Sequence, residues 1–95
     1  MKERILITGY NGELGSKALK ELSKKGKSII ALDLNKPKEE INSVLYFRDS
    51  ITNYELINSI FENYHITEVY HFAALLSQTN KFGLISLSVF SILSL

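Results

Sequence analysis

A chain of 95 residues has room for one small domain, and 45% hydrophobic with 22% charged residues indicates a globular rather than a disordered chain. The formal net charge of +1 gives no electrostatic support for nucleic-acid binding. The sequence has no cysteine, which excludes disulfides and thiolate metal sites, and its two histidines, His65 and His71, lack metal-ligand spacing.

The first predicted elements are a strand, a glycine-rich turn and a helix. Residues 4–8 are an apolar run that predicts the strand, and the letters TGYNGELG run from Thr8 to Gly15. Residues 12–25 are predicted to form the helix, which Gly26 would cap. The predicted apolar face of this helix comprises Leu14, Ala18, Leu19 and Leu22.

Three glycines give this turn the form of a phosphate-binding corner. Gly9 would let the chain turn sharply, Gly12 would let the backbone approach a pyrophosphate, and Gly15 would let the helix pack closely on the strand. The helix N-terminus adds unpaired N–H groups and a partial positive charge. Tyr10 and Asn11 lie inside the turn, where we expect the backbone to matter more than the side chain.

The second predicted strand, residues 28–33, ends in an acidic residue. Asp33 follows Gly15 at close to the roughly 20 residues expected of a carboxylate that binds the ribose of a dinucleotide. Such a carboxylate accepts hydrogen bonds from ribose hydroxyls and repels a 2′-phosphate, so it favours NAD over NADP. The alternative interpretation is a solvated aspartate at the end of a strand.

The remaining sequence continues the alternation of strands and helices. We predict a third strand over residues 44–47, a helix over 53–64, a fourth strand over 68–72 and a helix from about Thr79. Strands that alternate with helices require crossover connections. The predicted fold class is therefore α/β, a Rossmann-like, partial doubly wound parallel sheet of about four strands.

The second helix and the tail carry further expectations. The apolar stripe of the helix would comprise Leu56, Ile57, Ile60 and Phe61, and Thr52 or Asn53 would cap it. The uncharged run over residues 82–95 is shorter than the roughly 20 residues that span a bilayer, so we expect a buried helix and no membrane partner. No signal peptide is recognisable, which predicts a cytoplasmic protein.

Four segments together resemble the NAD-dependent epimerase/dehydratase family, the extended short-chain dehydrogenases/reductases. Thr8–Gly15 is similar to the family's TGxxGxxG turn, and Asp33–Asn35 to its ribose-binding strand end. Phe47–Ile51 resembles an adenine-contacting segment, although Arg48 replaces the usual glycine and Ser50 the usual apolar residue. The letters HFAA from His71 resemble the HxAA segment whose backbone lies along the cofactor, and HFAALLS further resembles L-threonine 3-dehydrogenases.

The resemblance implies one NAD-binding domain over residues 1–95 and an adenine contact through Asp49. The implied cofactor-binding residues are Gly9, Tyr10, Asn11, Gly12, Glu13, Leu14, Gly15, Asp33, Asp49, Ser50, Phe72, Ala73 and Ala74. The implied cofactor is NAD, and no metal site is expected.

The family's catalytic pair, Tyr-x-x-x-Lys, is not found among these residues. The residues four positions after the five tyrosines are Leu14, Ser50, Asn58, Glu68 and Ala74. We therefore expect no catalytic residue here and a domain truncated after the fourth strand and the following helix. An uncovered edge on the fourth strand would then invite self-association or a separate chain that carries the catalytic half.

Three functions remain open from the sequence. The chain is the NAD-binding part of an epimerase, dehydratase or dehydrogenase, a non-enzymatic NAD-binding module, or the remnant of a truncated gene. The intact glycine turn and Asp33 favour the first over the third.

Overall fold

A computed structural model describes residues 2–72 and 91–94 of the chain. The elements of these residues, in chain order, are β1 (Glu3–Thr8), α1 (Glu13–Lys24), β2 (Ile29–Asp33), β3 (Val44–Arg48), α2 (Tyr54–Asn63), β4 (His65–His71) and β5 (Ser91–Ser94). The strands form one sheet in the order β3-β2-β1-β4-β5. The strands β1 to β4 pair in parallel, which confirms the predicted Rossmann-like α/β sheet.

The two helices cover opposite faces of the sheet. Successive side chains of a strand point to opposite faces, so β1 contributes to two separate clusters of buried residues. Ile5 and Ile7 pack in the cluster that includes Leu19 of α1. Leu6 packs in the cluster that includes Ile60 of α2. β1 therefore lies between two apolar layers, as its continuous run of apolar residues predicts.

An irregularity in β4 keeps its apolar side chains on the correct faces. β1 pairs Arg4 with Ile66 and Ile5 with Glu68, so Thr67 is an extra residue in β4. Without that extra residue, Ile66 and Val69 would point to opposite faces, because they are three positions apart. Both instead pack in the cluster that includes α2. β4 spans His65–His71, so it begins three residues earlier than the predicted strand over 68–72 and ends one residue before it.

The helix α1 ends as predicted but packs with a narrower face. Gly26 has a positive φ of 76°, and the N–H of Lys27 donates to the carbonyl of Leu22 at 3.2 Å, which confirms Gly26 as the terminating residue. Leu19 is buried and Leu22 packs against the core. Leu14 is 50% exposed, so its inclusion in the packing face is wrong.

The helix α2 is capped by one of the two predicted residues. The side-chain oxygen of Asn53 accepts a hydrogen bond from the N–H of Leu56 at 3.2 Å, which identifies Asn53 as the cap. Ile60 is buried and Leu56 packs beside it. Phe61 is 40% exposed and lies at the margin of the predicted stripe. Neither helix of the described residues is long and apolar enough to cross a membrane.

The tail differs from its predicted helix wherever the structure describes it. Residues 73–90 lie outside the described part, and residues 91–94 form β5, which pairs antiparallel with Glu68–His71 of β4. The predicted helix is wrong over these four residues, because a short apolar run does not distinguish helix from strand. The expectation that this edge of β4 stays uncovered is also wrong, since β5 occupies it. Pairing satisfies backbone groups that β4 would otherwise leave open.

Candidate functional site

A pocket of about 260 Å³ lies at the sheet edge where the parallel strands end. β2 lies on one side of β1 and β4 lies on the other. The connection that follows β1 therefore runs toward one edge of the sheet, whereas the connection that follows β3 crosses back toward the other edge. In open α/β sheets, ligands bind in the crevice beside such a reversal. The pocket is lined by Gly9, Gly12, Leu32, Asp33, Leu34, Asn35, Asp49, Ser50, Ile51 and Phe72.

The glycine turn forms one wall of the pocket and leads directly into α1. Gly9 has a positive φ of 77°, and its N–H donates to the carbonyl of Leu32 at 2.8 Å, which holds the turn on the end of β2. Gly12 is the N-cap of α1 and provides no side-chain cap. The N–H groups of the first helical turn therefore remain available to an anion in the pocket.

Gly12 and Gly15 differ in the space around them. A Cβ atom at Gly15 would overlap the carbonyl oxygen of Gly9 and approach the Cα of Tyr10 to 3.2 Å. A Cβ atom at Gly12 would have the carbonyl oxygen of Gly9 as its nearest neighbour, at an ordinary 3.7 Å. Gly15 is thus required by helix packing, whereas protein atoms leave room for a side chain at Gly12. The absence of a side chain at Gly12 instead opens the pocket.

Asp33 is held by backbone donors from two different loops. Its Oδ2 accepts from the N–H of Asn11 at 3.1 Å, and its Oδ1 accepts from the N–H of Asn35 at 3.0 Å. Each carboxylate oxygen has a further lone pair and can accept a second hydrogen bond. The carboxylate therefore has a set orientation at the pocket wall and retains acceptor capacity for a ligand hydroxyl.

Tyr10 and Asn11 make side-chain contacts in addition to their backbone role in the turn. The Tyr10 ring is buried and packs edge-on against Tyr46 at 5.2 Å between ring centroids, while its hydroxyl donates to the carbonyl of Asn35 at 2.6 Å. The Asn11 side chain binds the backbone of residues 35–38. Both side chains therefore help to hold the turn, and the weight of backbone relative to side chain at these positions stays a prediction.

Asp49 links the ends of β2 and β3 to the start of α2. Its N–H donates to the carbonyl of Asp33 at 2.9 Å, and its Oδ2 accepts from the side-chain amide of Asn53 at 2.9 Å. Its Oδ1 accepts from the N–H of Ser50 at 2.7 Å. Asn53 also caps α2, so one network sets the position of Asp49 and Ser50 at the pocket.

The end of β4 forms a further part of the pocket wall. Phe72 lines the pocket, and its N–H donates to the carbonyl of Thr8 at 2.9 Å. The hydroxyl of Thr8 is 2.6 Å from Nδ1 of His71, which joins β4 to the start of the glycine turn. Ala73 and Ala74 lie outside the described residues.

The pocket gathers many of the residues that the sequence singles out, and adds others. Gly9, Gly12, Asp33, Asp49, Ser50 and Phe72 line it. The other predicted residues of the described part do not line it, namely Tyr10, Asn11, Glu13, Leu14 and Gly15. Glu13 is exposed and forms an ion pair with Lys17 at 3.6 Å. Four further residues that the sequence does not predict also line the pocket, namely Leu32, Leu34, Asn35 and Ile51. Leu32 and Leu34 adjoin Asp33, Asn35 ends the ribose-binding segment Asp33–Asn35, and Ile51 adjoins Ser50. This proximity in sequence is the signal that identifies them.

Tyr10 should make the free energy of unfolding depend on pH in alkaline solution. Burial, followed by the charge of Asp33, raises the pKa of Tyr10 to about 12. The unfolded chain releases this proton near pH 10 (roughly, for a free tyrosine), so stability should fall as the pH rises from about 10 to about 12.

We expect Tyr10→Phe to flatten this decline, because phenylalanine has no proton to release. The measurement is the urea midpoint of both proteins at about pH 8 and about pH 11. Burial and the charge of Glu68 also raise the pKa of Tyr70, so Tyr70→Phe is the matched control for the remaining decline. An equally steep decline in Tyr10→Phe and in the parent protein would contradict the assignment.

No group of three or more histidine, aspartate or glutamate side chains is placed to hold a metal ion among the residues that the structure describes. The groups that converge on the pocket are backbone N–H donors and carboxylate acceptors, which fits recognition of phosphate and hydroxyl groups.

The chain matches known proteins over most of its described part. A family model described as the NAD dependent epimerase/dehydratase family matches residues 5–83. The inactive mitochondrial L-threonine 3-dehydrogenase of Homo sapiens is 38% identical over 77 residues, which cover 78% of this chain and 34% of the human protein. The chain spans about a quarter to a third of the length of the curated relatives that it matches.

Solved structures of two UDP-glucose 4-epimerases have the same arrangement. The enzyme of Thermotoga maritima, determined with UDP-glucose, has a TM-score of 0.70 and 30% identity over 78% of this chain and 25% of its own. The enzyme of Thermus thermophilus, determined with NAD, has a TM-score of 0.68 and 29% identity over 81% of this chain and 26% of its own.

Proposed function

Because the chain belongs to the NAD dependent epimerase/dehydratase family, we propose that it is the NAD-binding part of an epimerase, dehydratase or dehydrogenase. One observation carries the proposal: a single pocket at the carboxyl edge of the sheet joins the glycine turn, Asp33 and Asp49. The glycine turn offers donors for phosphate, and the two carboxylates offer acceptors for ribose and adenine, which together suit a dinucleotide. The proposal treats residues 1–95 as one domain.

In the proposed complex, each part of the pocket recognises a different part of NAD. The pyrophosphate would lie against Gly12 and the start of α1, where uncapped N–H groups and the helix dipole stabilise negative charge. The adenosine ribose would donate to Asp33, and the adenine would contact Asp49 and Ser50. Ala73 and Ala74 are proposed as further cofactor-binding residues.

A preference for NAD over NADP forms part of the proposal. The Asp33 carboxylate is oriented by two backbone N–H groups and would face the ribose hydroxyls. A 2′-phosphate at that place would bring negative charge against a carboxylate that has no cationic side chain bonded to it in the described residues. Like charges at such a distance disfavour binding.

The chemistry that NAD supplies is hydride transfer, and the substrate in this proposal is a sugar nucleotide or a small hydroxy compound. No tyrosine of this sequence is followed four positions later by lysine, so we assign no side chain of these 95 residues to the reaction. The reacting groups would come from residues outside this sequence or from a separate chain. We also propose a cytoplasmic location, which the cysteine-free composition fits.

Titration of the purified chain with NAD by calorimetry tests the proposal, with Asp33→Ala as the variant and Glu62→Ala as its control. Both changes remove one carboxylate, but Glu62 is an exposed residue of α2 away from the pocket. We expect saturable binding by the parent protein and by Glu62→Ala, and at least about tenfold weaker binding by Asp33→Ala, since hydrogen bonds to a charged group are lost.

Two results would contradict the proposal. If the parent protein unfolds cooperatively but does not bind NAD, this pocket is not an NAD site. Equal affinity in Asp33→Ala and Glu62→Ala would remove Asp33 from the ribose site while leaving the pocket as a binding site.

A further inference from the structure

The side-chain amide of Asn11 is bonded entirely to the loop between β2 and β3, residues 34–43. Its Nδ2 donates to the carbonyls of Asn35 and Lys36, at 3.2 and 2.9 Å. Its Oδ1 accepts from the N–H of Lys38 at 3.3 Å. Both donor hydrogens and the acceptor oxygen thus bind one short stretch of backbone, which a random surface asparagine seldom achieves. We call this set of contacts the Asn11 clamp.

Hydrogen bonds to the backbone of Asn35 connect the Asn11 clamp with Asp33. The carbonyl of Asn35 accepts from Asn11 and from the hydroxyl of Tyr10, and the N–H of the same residue donates to Asp33 at 3.0 Å. The N–H of Asn11 donates to the other oxygen of Asp33 at 3.1 Å. Both oxygens of the carboxylate are therefore positioned by residues that the clamp joins.

Asn11 acts on the pocket indirectly. Asn11 and Tyr10 do not line the main pocket, but they line a separate hollow of about 130 Å³ between α1 and the loop. Asn35 does line the main pocket. A change at Asn11 thus reaches a ligand through the position of the loop and of Asp33.

We propose that Asn11 is a positioning residue that sets the preference between a ribose 2′-hydroxyl and a 2′-phosphate. This inference rests on the proposed NAD site. With the clamp intact, the carboxylate of Asp33 faces the ribose and opposes a phosphate. With the clamp removed, the carbonyl of Asn35 keeps only the Tyr10 hydroxyl of its two side-chain donors, so Asp33 is held less firmly. The exposed Lys36 and Lys38 on the loosened loop then gain freedom to approach a phosphate. Loss of the clamp therefore weakens NAD and strengthens NADP relative to it.

The test compares NAD and NADP affinity in Asn11→Ala and Asn11→Leu, with Asn58→Ala as the control. Leucine keeps the approximate size of asparagine without its amide, and Asn58 is an asparagine of α2 that does not line the pocket. We expect the NAD to NADP affinity ratio to fall by about tenfold in both Asn11 variants, in line with the loss of hydrogen bonds of ordinary strength. The ratio should stay unchanged in Asn58→Ala.

Amide hydrogen exchange without any ligand provides a second readout. The N–H of Lys38 loses its acceptor in both Asn11 variants, and that of Asn35 loses its fixed geometry, so both should exchange faster than in the parent protein. Unchanged exchange, or faster exchange with an unchanged affinity ratio, would overturn the proposal. A parent protein that binds neither NAD nor NADP would contradict the proposed function, and with it the role of Asn11 in cofactor preference. The hydrogen-exchange data would still show whether the Asn11 clamp holds the loop.

Discussion

Replacement of Gly15 by alanine should abolish the cooperative unfolding transition of this domain or destabilise it severely. The added Cβ would overlap the carbonyl oxygen of Gly9 and lie 2.9 Å from its carbonyl carbon and 3.2 Å from the Cα of Tyr10. All three atoms belong to the backbone of the turn, so no side-chain rotation relieves the overlap. Only separation of α1 from the end of β1 makes room for the methyl group.

The expected loss of unfolding free energy for Gly15→Ala is about 3 kcal/mol or more, the upper part of the range for overpacking. That loss would consume most of the stability of a small domain, which is often near 5 kcal/mol (roughly). Urea unfolding followed by far-ultraviolet circular dichroism measures it.

Gly12→Ala is the matched control for Gly15→Ala, because the same methyl group at Gly12 meets only an ordinary 3.7 Å contact. Its urea midpoint should stay near that of the parent protein. A Gly15→Ala protein that unfolds within about 1 kcal/mol of the parent would show that the turn relaxes freely, against the close packing seen here.

The first half of the fold could be predicted well from local sequence signals. The apolar run of β1, the glycine turn, and the cap at Gly26 each depend on neighbouring residues only, and the structure has them at the expected places. Asp33 was placed by its distance from the turn, and it lies on the pocket wall. Its role toward ribose stays a prediction, since hydrogen bonds within the protein do not identify a ligand.

The contacts of Asn11 and Tyr10 could not be predicted from the sequence. Their side-chain hydrogen bonds join residues 24 or more positions apart, and they depend on how the β2–β3 loop folds back over the glycine turn. No local pattern encodes that arrangement. The sequence also does not predict the extra residue Thr67 in β4, because a bulge is recognised only from the register of β4 against β1.

The tail shows where an apolar pattern alone misleads. The length and apolar character of the tail predict a helix, yet residues 91–94 pair with β4. Their conformation depends on an edge strand that lies far away in sequence, and short apolar segments adopt whichever structure a neighbour offers.

A graded increase in side-chain size at Gly12 should weaken NAD binding without weakening the fold. Protein atoms leave space for a side chain there, since the nearest atom to an added Cβ is the carbonyl oxygen of Gly9 at 3.7 Å. The backbone has a φ of −70°, which every residue adopts easily. The side chain would instead extend into the pocket, where the proposed pyrophosphate approaches the start of α1.

We expect Gly12→Ala to lower NAD affinity by about tenfold and Gly12→Val by about a hundredfold or more, because overpacking typically costs about 1–3 kcal/mol. Calorimetry gives the affinities, and urea unfolding of the same samples gives the stability. Undiminished affinity in Gly12→Val would remove the pyrophosphate from this turn. A parallel loss of stability would instead assign the effect to the fold. Lost affinity with retained stability would separate the two glycines, with Gly15 required for packing and Gly12 for the ligand.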